Sequence, residues 1–329
     1  MIIETPSRLH MTLIDLNGTI GRIDGGVGLT IEEPKLILEA KPQDKCTQIF
    51  FKESQGLSEE LMRDYREKIE NTVKKITEFL KIDSGFKFEV KKTYPAHSGL
   101  GSGTQLSLAA AKLVLNLHDY DMNASQIAKL VGRGGTSGIG VRAFDDGGFI
   151  IDGGHKIDEK PDFLPSSASK ASPAPLIARY DFPQEWNVIL AIPNVPAGAS
   201  GKKEVNIFQE CCPINLEEVQ KLSHLILMKM MPSVVEQDLD SFGSAVNEIQ
   251  DIGFKKIEVE FQDAIINEII ENMRNAGAAG VGMSSFGPTI YAVTDTNTKD
   301  ISKAAQSTMK EVGGKVIATR AKNSGAKVK

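Results

Sequence analysis

The amino-acid sequence predicts an α+β protein that has two lobes with a binding site between them. The first half reads as four strands, a helix, a fifth strand, a glycine-rich loop and two helices. The second half reads as a strand, three helices, two strands, a helix and a last strand. A segment rich in Pro, Ser and Ala, residues 161–175, separates the halves and is either a linker or a lid. We therefore place one domain at residues 1–180 and a second at 181–329.

Composition narrows the function classes without choosing one. At 329 residues the chain is long enough for one large or two modest cores. The formal net charge of −5 argues against a nucleic-acid-coating role. No apolar run reaches the roughly 20 residues of a membrane span, and no signal pattern opens the chain, so a cytoplasmic location is expected. The cysteines and histidines lack the spacing of a zinc site, so a transition-metal site is not expected. The sequence does not identify ligands for any other metal ion.

The first predicted strand carries cationic and donor groups next to a glycine-dense turn. Apolar and polar residues alternate from Leu9 to Leu13, which is typical of a strand with one polar face. Arg8 and His10 lie on this strand, and Arg22 follows the turn. A single strand-end arginine is more often solvated. Three such groups together are as consistent with an anion site as with solvated strand ends.

Two strands and a long amphipathic helix follow. The strands are expected at Lys35–Ala40 and Thr47–Lys52, and Ser58 is expected to cap the helix. Apolar residues recur every three or four positions from Leu57 to Leu80. The charged face of this helix is interpreted as solvated surface; it includes Glu59, Arg63, Lys68 and Lys74.

A glycine-rich loop between a strand and an apolar helix is the strongest local signal. The strand begins at Phe86, and the helix is expected to begin near Ser102–Thr104. The unpaired N–H groups of a first helical turn and the helix dipole both favour an anion there. We therefore predict a phosphate site formed by His97, Ser98, Gly99, Gly101, Ser102, Gly103, Thr104 and Gln105.

Three further segments supply candidate substrate-binding residues. Residues 132–154 are dense in Gly, Arg and Asp, which is too costly in chain entropy for an ordinary loop. Glycine-rich loops also follow Pro193 and precede the strand that ends near Val293. Candidates from these segments are Arg133, Ser137, Arg142, Lys202, Glu204, Ser284 and Ser285.

The remaining elements of the second half are predicted from caps and periodicity. Helices are expected from Leu216, from Val234 with Ser233 as the cap, and from Asp263 to Ala276. A helix over 298–312 and a strand over 316–319 close the domain. The basic tail, residues 322–329, is expected to be frayed.

Two of these segments resemble motifs of the GHMP kinase superfamily. The sequence Pro-Ala-His-Ser-Gly-Leu-Gly-Ser-Gly resembles the loop that wraps ATP phosphates in those kinases, and residues 280–293 resemble their third motif. The resemblance implies a ribosomal-S5-domain-2-like N-terminal lobe and a ferredoxin-like C-terminal lobe. However, Gly140 stands where several members carry a catalytic aspartate, and Asp145 and Asp146 are out of register. A kinase of that type would lack its base here.

Within the superfamily the chain most resembles the beta-ribofuranosylaminobenzene 5'-phosphate synthase family of the methanopterin pathway. The shared segments are Ser-Arg-Leu-His-Met-Thr-Leu-Ile-Asp-Leu-Asn-Gly, His-Ser-Gly-Leu-Gly-Ser-Gly-Thr-Gln, Gly-Arg-Gly-Gly-Thr-Ser-Gly-Ile-Gly and Phe-Leu-Pro-Ser-Ser-Ala-Ser. That family joins phosphoribosyl pyrophosphate to 4-aminobenzoate or 4-hydroxybenzoate, releases pyrophosphate and CO₂, and forms a C–C bond.

The resemblance implies roles for the candidate residues. The glycine loop, helped by Mg²⁺, would hold the departing pyrophosphate, and Arg8, His10 and Arg22 would form the catalytic group. Small molecules are the expected partners, with no nucleic acid or membrane, in a cytoplasmic homodimer. Two alternatives stay open: an ATP-dependent small-molecule GHMP kinase, and a non-catalytic homologue that binds phosphate ligands.

Overall fold

Two separate β-sheets form the two lobes. The computed structural model describes residues 1–52, 57–94, 98–196, 198–199 and 201–329. The N-terminal lobe begins with a long hairpin in which two antiparallel strands pair along most of their length. Its strands are β1 (Ile2–Asp15), β2 (Arg22–Gln43), β3 (Gln48–Phe51), β4 (Gly85–Lys92), β5 (Phe149–Asp152), β6 (His155–Lys156) and β7 (Leu176–Tyr180).

Helices cover this sheet, and their starts follow from their caps. They are α1 (Glu59–Leu80), α2 (Ser102–Leu117), α3 (Ala124–Val131) and α4 (Ile139–Asp145). Ser58 caps α1 by accepting the Leu61 N–H at 3.1 Å, as predicted. The apolar helix α2 is largely buried between the sheet and α1, and in its first turn Gly103 and Thr104 are half-buried. The fold therefore places the end of the glycine loop where α2 leaves the core of the N-terminal lobe.

The C-terminal lobe is ferredoxin-like, as the resemblance implies. Its strands are β8 (Asn187–Pro193), β9 (Gly280–Met283), β10 (Ile290–Thr294) and β11 (Gly314–Arg320). They are antiparallel in the order β11-β8-β10-β9, which is the strand order 4-1-3-2 of that fold. The helices are α5 (Lys202–Cys211), α6 (Leu216–Leu225), α7 (Met231–Glu236), α8 (Leu239–Ile249), α9 (Gly253–Glu260), α10 (Ala264–Asn275) and α11 (Thr298–Thr308).

Two expectations for this half were wrong. No new helix begins at Val234: a π-helical turn, Ile226–Met230, continues α6 into α7. The Ser233 hydroxyl donates to the Met230 carbonyl at 2.8 Å instead of capping a helix. Pro232 follows the π-helical turn directly, as the second residue of α7.

The tail is ordered rather than frayed. A last strand, β12 (Lys327–Val328), pairs with β1 of the N-terminal lobe. The Lys329 N–H donates to the Ile2 carbonyl at 2.8 Å, and the Ile2 N–H donates back at 2.9 Å. Composition could not show this because the pairing partner lies at the opposite end of the chain. None of the helices in the described ranges is both long and apolar enough to cross a bilayer.

Candidate active site

A cavity of about 250 Å³ lies between the lobes, and both contribute its walls. The N-terminal lobe supplies β1, the glycine loop, the turn before α4, one residue of α1 and a corner of the segment 161–175. The C-terminal lobe supplies residues of α5, α9 and the loop after β9. The charged, polar and glycine residues of these walls include Arg8, His10, Lys68, Gly99, Gly101, Ser102, Gly103, Thr104, Arg133, Ser137, Glu204, Glu258 and Ser285.

The glycine loop brings the N-terminus of α2 to the cavity. Gly99 and Gly101 have φ values of +80° and +79°, which side chains rarely adopt. A Cβ on Gly99 would lie 2.1 Å from the Ser284 carbonyl oxygen, so the loop rests directly on the C-terminal lobe. The first helical bond runs from the Gln105 N–H to the Gly101 carbonyl at 3.1 Å. The three preceding N–H groups thus lack an intrahelical acceptor and can bind an anion.

Arg8 lies directly beneath this loop. Its backbone N–H donates to the Leu100 carbonyl at 3.2 Å, and its guanidinium donates to the Gly99 carbonyl. A Cβ on Gly101 would lie 3.1 Å from both Cγ and Nε of Arg8. Burial lowers the pKa of Arg8 to about 10, which leaves the guanidinium protonated at neutral pH. Arg8 is therefore a fixed positive charge behind the anion-binding loop.

Lys68 and Arg133 both lie beside Gly103 in the first turn of α2. Measured from the Cβ position at Gly103, the Lys68 Nζ is 3.6 Å away and the Arg133 Nη1 is 3.9 Å away. Lys68 also pairs with Asp64 at 2.5 Å. The interpretation of Lys68 as solvated surface was wrong, because α1 packs beside α2 and brings this residue to the cavity.

His10 projects into the cavity as a neutral ring. Burial lowers its pKa well below the ordinary value, and the positive charges of Arg8 and Lys255 act in the same direction. Its backbone is fixed by bonds of 2.9 Å to the Ser284 hydroxyl and the Ser285 N–H. Both ring nitrogens are shielded from solvent and, within the described ranges, neither has a hydrogen-bond partner, so a ligand that reaches the ring would satisfy it.

Two carboxylates occupy the wall that the C-terminal lobe provides. Glu258 forms a buried ion pair with Lys255, one turn back on α9. Glu204 lies in the first turn of α5, where burial, together with the charge of Glu258, raises its pKa to about 7. Aromatic rings line the same side, from Phe208 and Phe286. The cavity is therefore cationic on one wall and acidic and aromatic on the other.

The raised pKa of Glu204 predicts a pH-dependent stability. Between its ordinary value of 4.5 and about 7, the unfolded state loses this proton while the folded state keeps it. Unfolding therefore becomes easier as pH rises through that window, and Glu204→Gln removes the effect. We expect the wild-type melting temperature to fall relative to Glu204→Gln as the pH is raised through this window in parallel thermal scans. If the difference in melting temperature between wild type and Glu204→Gln stayed constant across this pH range, Glu204 would ionise as an ordinary glutamate does.

Two predicted arginines lie elsewhere. Arg22 donates through Nε to the Gly153 carbonyl at 3.0 Å and through Nη2 to the Gly154 carbonyl at 3.1 Å. Arg142 lies on α4, 3.8 Å from Asp146. Neither belongs to the cavity walls formed by the described residues. Arg22 is therefore neither part of the cavity nor simply solvated at a strand end, because its guanidinium ties the strand to a turn.

The remaining candidates divide into supporting and peripheral residues. Gln105 is buried and donates to the Gly140 carbonyl at 2.7 Å, and the Ser284 hydroxyl donates to the Gly99 carbonyl at 2.7 Å. Gln105 therefore ties α2 to α4, and Ser284 ties the glycine loop to the C-terminal lobe. Ser98 is buried beside the same loop. Lys202 is exposed at the start of α5, and His97 lies outside the described residues.

Gly140 and the two nearby aspartates lie in different surroundings. Gly140 packs on Thr104, whose Cγ2 would lie 3.3 Å from an added Cβ. Asp145 accepts the Ala124 N–H at 2.8 Å, and Asp146 faces Arg142. Neither aspartate is among the described residues that line the cavity, so neither replaces the missing base.

Metal binding by protein ligands alone has little support. No group of three His, Cys, Asp or Glu side chains within the described ranges could hold an ion. Glu204 and Glu258 nevertheless face the cavity from one wall. One or two carboxylates together with phosphate oxygens are the usual ligands of Mg²⁺ at phosphate sites. The donor set thus fits a magnesium ion that arrives with a phosphorylated substrate.

Comparison with known proteins agrees with this geometry. The family models for the GHMP kinases N-terminal domain and the GHMP kinases C-terminal region match residues 67–154 and 230–314. A homoserine kinase structure from Cytophaga hutchinsonii has a TM-score of 0.72 at 16% identity, covering 99% of this chain and 96% of that chain. The L. major mevalonate kinase structure also has a TM-score of 0.72, at 14% identity, covering 98% and 96%. The GHMP kinase fold expected from the motifs is confirmed.

Some curated relatives are far more similar to this chain in sequence than these kinase structures are. A beta-ribofuranosylphenol 5'-phosphate synthase from Methanothermobacter thermautotrophicus is 53% identical, over 99% of this chain and 98% of that protein. The enzyme of the same name from Methanocaldococcus jannaschii is 48% identical over the full length of both chains. The chain belongs to the beta-ribofuranosylphenol 5'-phosphate synthase family, whose members share the GHMP kinase fold.

Proposed function

We propose that this protein is a beta-ribofuranosylphenol 5'-phosphate synthase that condenses phosphoribosyl pyrophosphate with 4-hydroxybenzoate. The observation that carries the proposal is the charge division of the cavity: one lobe supplies Arg8, Lys68, Arg133 and a helix N-terminus, and the other lobe supplies the carboxyl groups of Glu204 and Glu258. The names of the relatives specify a ribosylated phenol. That product favours 4-hydroxybenzoate over 4-aminobenzoate as the acceptor.

The cationic wall supports the leaving-group half of the reaction. When pyrophosphate departs, negative charge grows on its oxygens while the ribose C1 becomes oxocarbenium-like. Fixed donors aimed at that charge stabilise the transition state without rearranging. The α2 N-terminus and Arg8 would hold the pyrophosphate, and Lys68 and Arg133 would neutralise its outer charge.

The acidic and aromatic wall supports the acceptor half. The phenolic oxygen donates electron density to the ring carbon opposite it, which carries the carboxylate. That carbon attacks C1, the bond from C1 to the pyrophosphate oxygen breaks, and loss of CO₂ restores the aromatic ring. Glu204, largely protonated below about pH 7, and the neutral His10 are the groups suited to orient the hydroxyl. No protein nucleophile is required.

Magnesium would serve this reaction by binding with the pyrophosphate. Glu204 is the carboxyl group better placed to contact it, because Glu258 is already paired with Lys255. The ion would then displace the proton of Glu204 and leave His10 to orient the acceptor hydroxyl. The ion would supply additional positive charge for the leaving group. The residues of the opposite wall would still determine where the ribosyl phosphate lies.

The missing base predicts that the protein does not transfer phosphate from ATP. With homoserine, mevalonate or other small alcohols as acceptors, we expect ADP formation no faster than without protein. The measurement is a coupled ADP assay at neutral pH with Mg²⁺. ADP formation that depends on an acceptor, and that Asp145→Asn or Asp146→Asn abolishes, would favour the kinase alternative instead.

The proposed activity is tested by incubating the protein with phosphoribosyl pyrophosphate, 4-hydroxybenzoate and Mg²⁺. We expect pyrophosphate and a product with the mass of a ribosylphenol phosphate, and no product when a chelator removes the ion. Parallel incubation with 4-aminobenzoate compares the two acceptors. Tight binding of phosphoribosyl pyrophosphate without any product would instead favour the non-catalytic alternative.

A further inference from the structure

Three ionisable side chains form a buried cluster behind the cavity. Asp24, His155 and Lys160 are 1%, 2% and 3% exposed. The Lys160 Nζ donates to both oxygens of Asp24, at 3.0 and 2.9 Å. The His155 Nδ1 lies 2.6 Å from Asp24 Oδ2. Asp24 thus holds two cationic or donor groups in a region shielded from water.

Both partners of Asp24 also bind the segment 161–175, which we call the strap. Lys160 donates to the Leu164 carbonyl at 2.8 Å, and the Thr136 hydroxyl donates to the same carbonyl at 2.6 Å. The His155 Nε2 lies 2.8 Å from the Ser172 carbonyl oxygen. The cluster therefore fastens the strap near both of its ends.

Between these fastenings the strap forms a wall of the cavity. Pro165 and the two following serines line the cavity, and the Pro165 carbonyl accepts the N–H groups of Ala168 and Ser169 at 2.9 and 3.0 Å. The strap also packs on the glycine-dense residues 132–154. A Cβ on Gly135 would lie 2.7 Å from the Ser169 Oγ. The glycines of that segment thus make room for the strap.

We propose that Asp24, His155, Lys160 and Thr136 are positioning residues that hold the strap closed over the reacting ribose and exclude water. Burying three ionisable groups costs desolvation energy that an apolar cluster would avoid, so stability alone does not explain them. Their hydrogen bonds to two strap carbonyls instead indicate that they hold the strap in position. The strap is thereby a fixed wall of the closed cavity.

The inference rests on the proposed function, which makes water a competitor. An oxocarbenium-like C1 can be attacked by the acceptor ring or by water. Attack by the ring releases one pyrophosphate and one CO₂. Attack by water releases pyrophosphate, leaves ribose 5-phosphate with a new C1 hydroxyl and a proton in solution, and frees no CO₂. The ratio of CO₂ to pyrophosphate therefore measures how well the strap excludes water.

The test compares Lys160→Met and Thr136→Val with wild type. Thr136→Val removes one hydroxyl and keeps the Asp24 ion pairs, so it serves if Lys160→Met does not fold. Thr136→Ser restores the hydroxyl, and Lys156→Met, on an exposed neighbour, is the matched control. We expect a ratio near one for wild type and both controls, and a ratio lower by about twofold or more in the two test variants.

Proteolysis supplies a readout that does not depend on turnover. Lys170 is a strap residue, so trypsin cleavage after it should be faster in Lys160→Met and Thr136→Val than in the controls. Unchanged ratios and unchanged cleavage in folded test variants would overturn the inference. If wild type releases no CO₂ at all, the proposed function fails, while the cleavage rates still decide whether the cluster fastens the strap.

Discussion

Gly101→Val is expected to reduce turnover by at least about a hundredfold while the protein stays folded. A β-branched side chain resists the φ of +79°, and its Cβ would lie 3.1 Å from Cγ and Nε of Arg8. The substitution therefore disturbs the loop backbone and the guanidinium beneath it together. Steady-state kinetics with phosphoribosyl pyrophosphate, beside a thermal scan, measure both effects.

Gly21→Val is the matched control for this substitution. Gly21 has a φ of +80°, but nothing lies within 4 Å of its Cβ position, and it is outside the cavity walls formed by the described residues. The two variants thus share the backbone strain and differ only in what the side chain meets. Turnover near wild type for Gly101→Val, or equal losses in both variants, would remove the glycine loop from the active site.

Arg8→Lys is expected to lower kcat/KM about tenfold to a hundredfold, a loss of about 1.5–3 kcal/mol, with little change in melting temperature. Lysine keeps the charge but loses the planar fork that can reach the Gly99 carbonyl and a substrate anion together. The effect should therefore appear in the kinetics rather than in the stability.

Arg22→Lys should give the opposite result. Arg22 uses its fork on two backbone carbonyls, at 3.0 and 3.1 Å, away from the described cavity walls. We expect a lower melting temperature and nearly normal kinetics from the folded protein. If Arg8→Lys is instead the variant that melts early and works normally, Arg8 is a structural residue and the anion site must lie elsewhere.

The parts of the site that are local in sequence could be predicted from the sequence. The glycine loop, the start of α2 and the cap at Ser58 each depend on residues a few positions apart, so spacing and residue type are sufficient. The order of strands and helices likewise predicted two lobes, since a change of periodicity marks each element.

The parts that depend on packing could not be predicted in this way. Lys68 has the spacing of a solvated helix face, and only the position of α1 beside α2 brings it to the cavity. Glu258 lies on α9, a short helix that the pattern did not predict. Arg8 and Arg22 look alike in sequence, and their different roles follow from which backbone each one meets.

The role of the strap is a further feature that the sequence could not predict. Its composition left a linker and a lid equally open, because Pro and Ser are common in both. The distinction depends on strap carbonyls that are held by the side chains of Lys160 and His155. Every residue has a backbone carbonyl, so accepting a hydrogen bond there requires no particular residue type. The residue types of the strap could therefore not reveal these bonds.

The fate of the acceptor's carboxylate shows whether the ring carbon that carries it attacks C1 of the ribose. We propose incubation with phosphoribosyl pyrophosphate and 4-hydroxybenzoate labelled with ¹³C in the carboxylate, with CO₂ and pyrophosphate measured together. We expect the label to leave as CO₂ in an amount equal to the pyrophosphate, and the product to carry none. A product that keeps the label would mean that an atom of the acceptor other than the carbon bearing the carboxylate attacked C1, which would contradict the proposed decarboxylating bond formation.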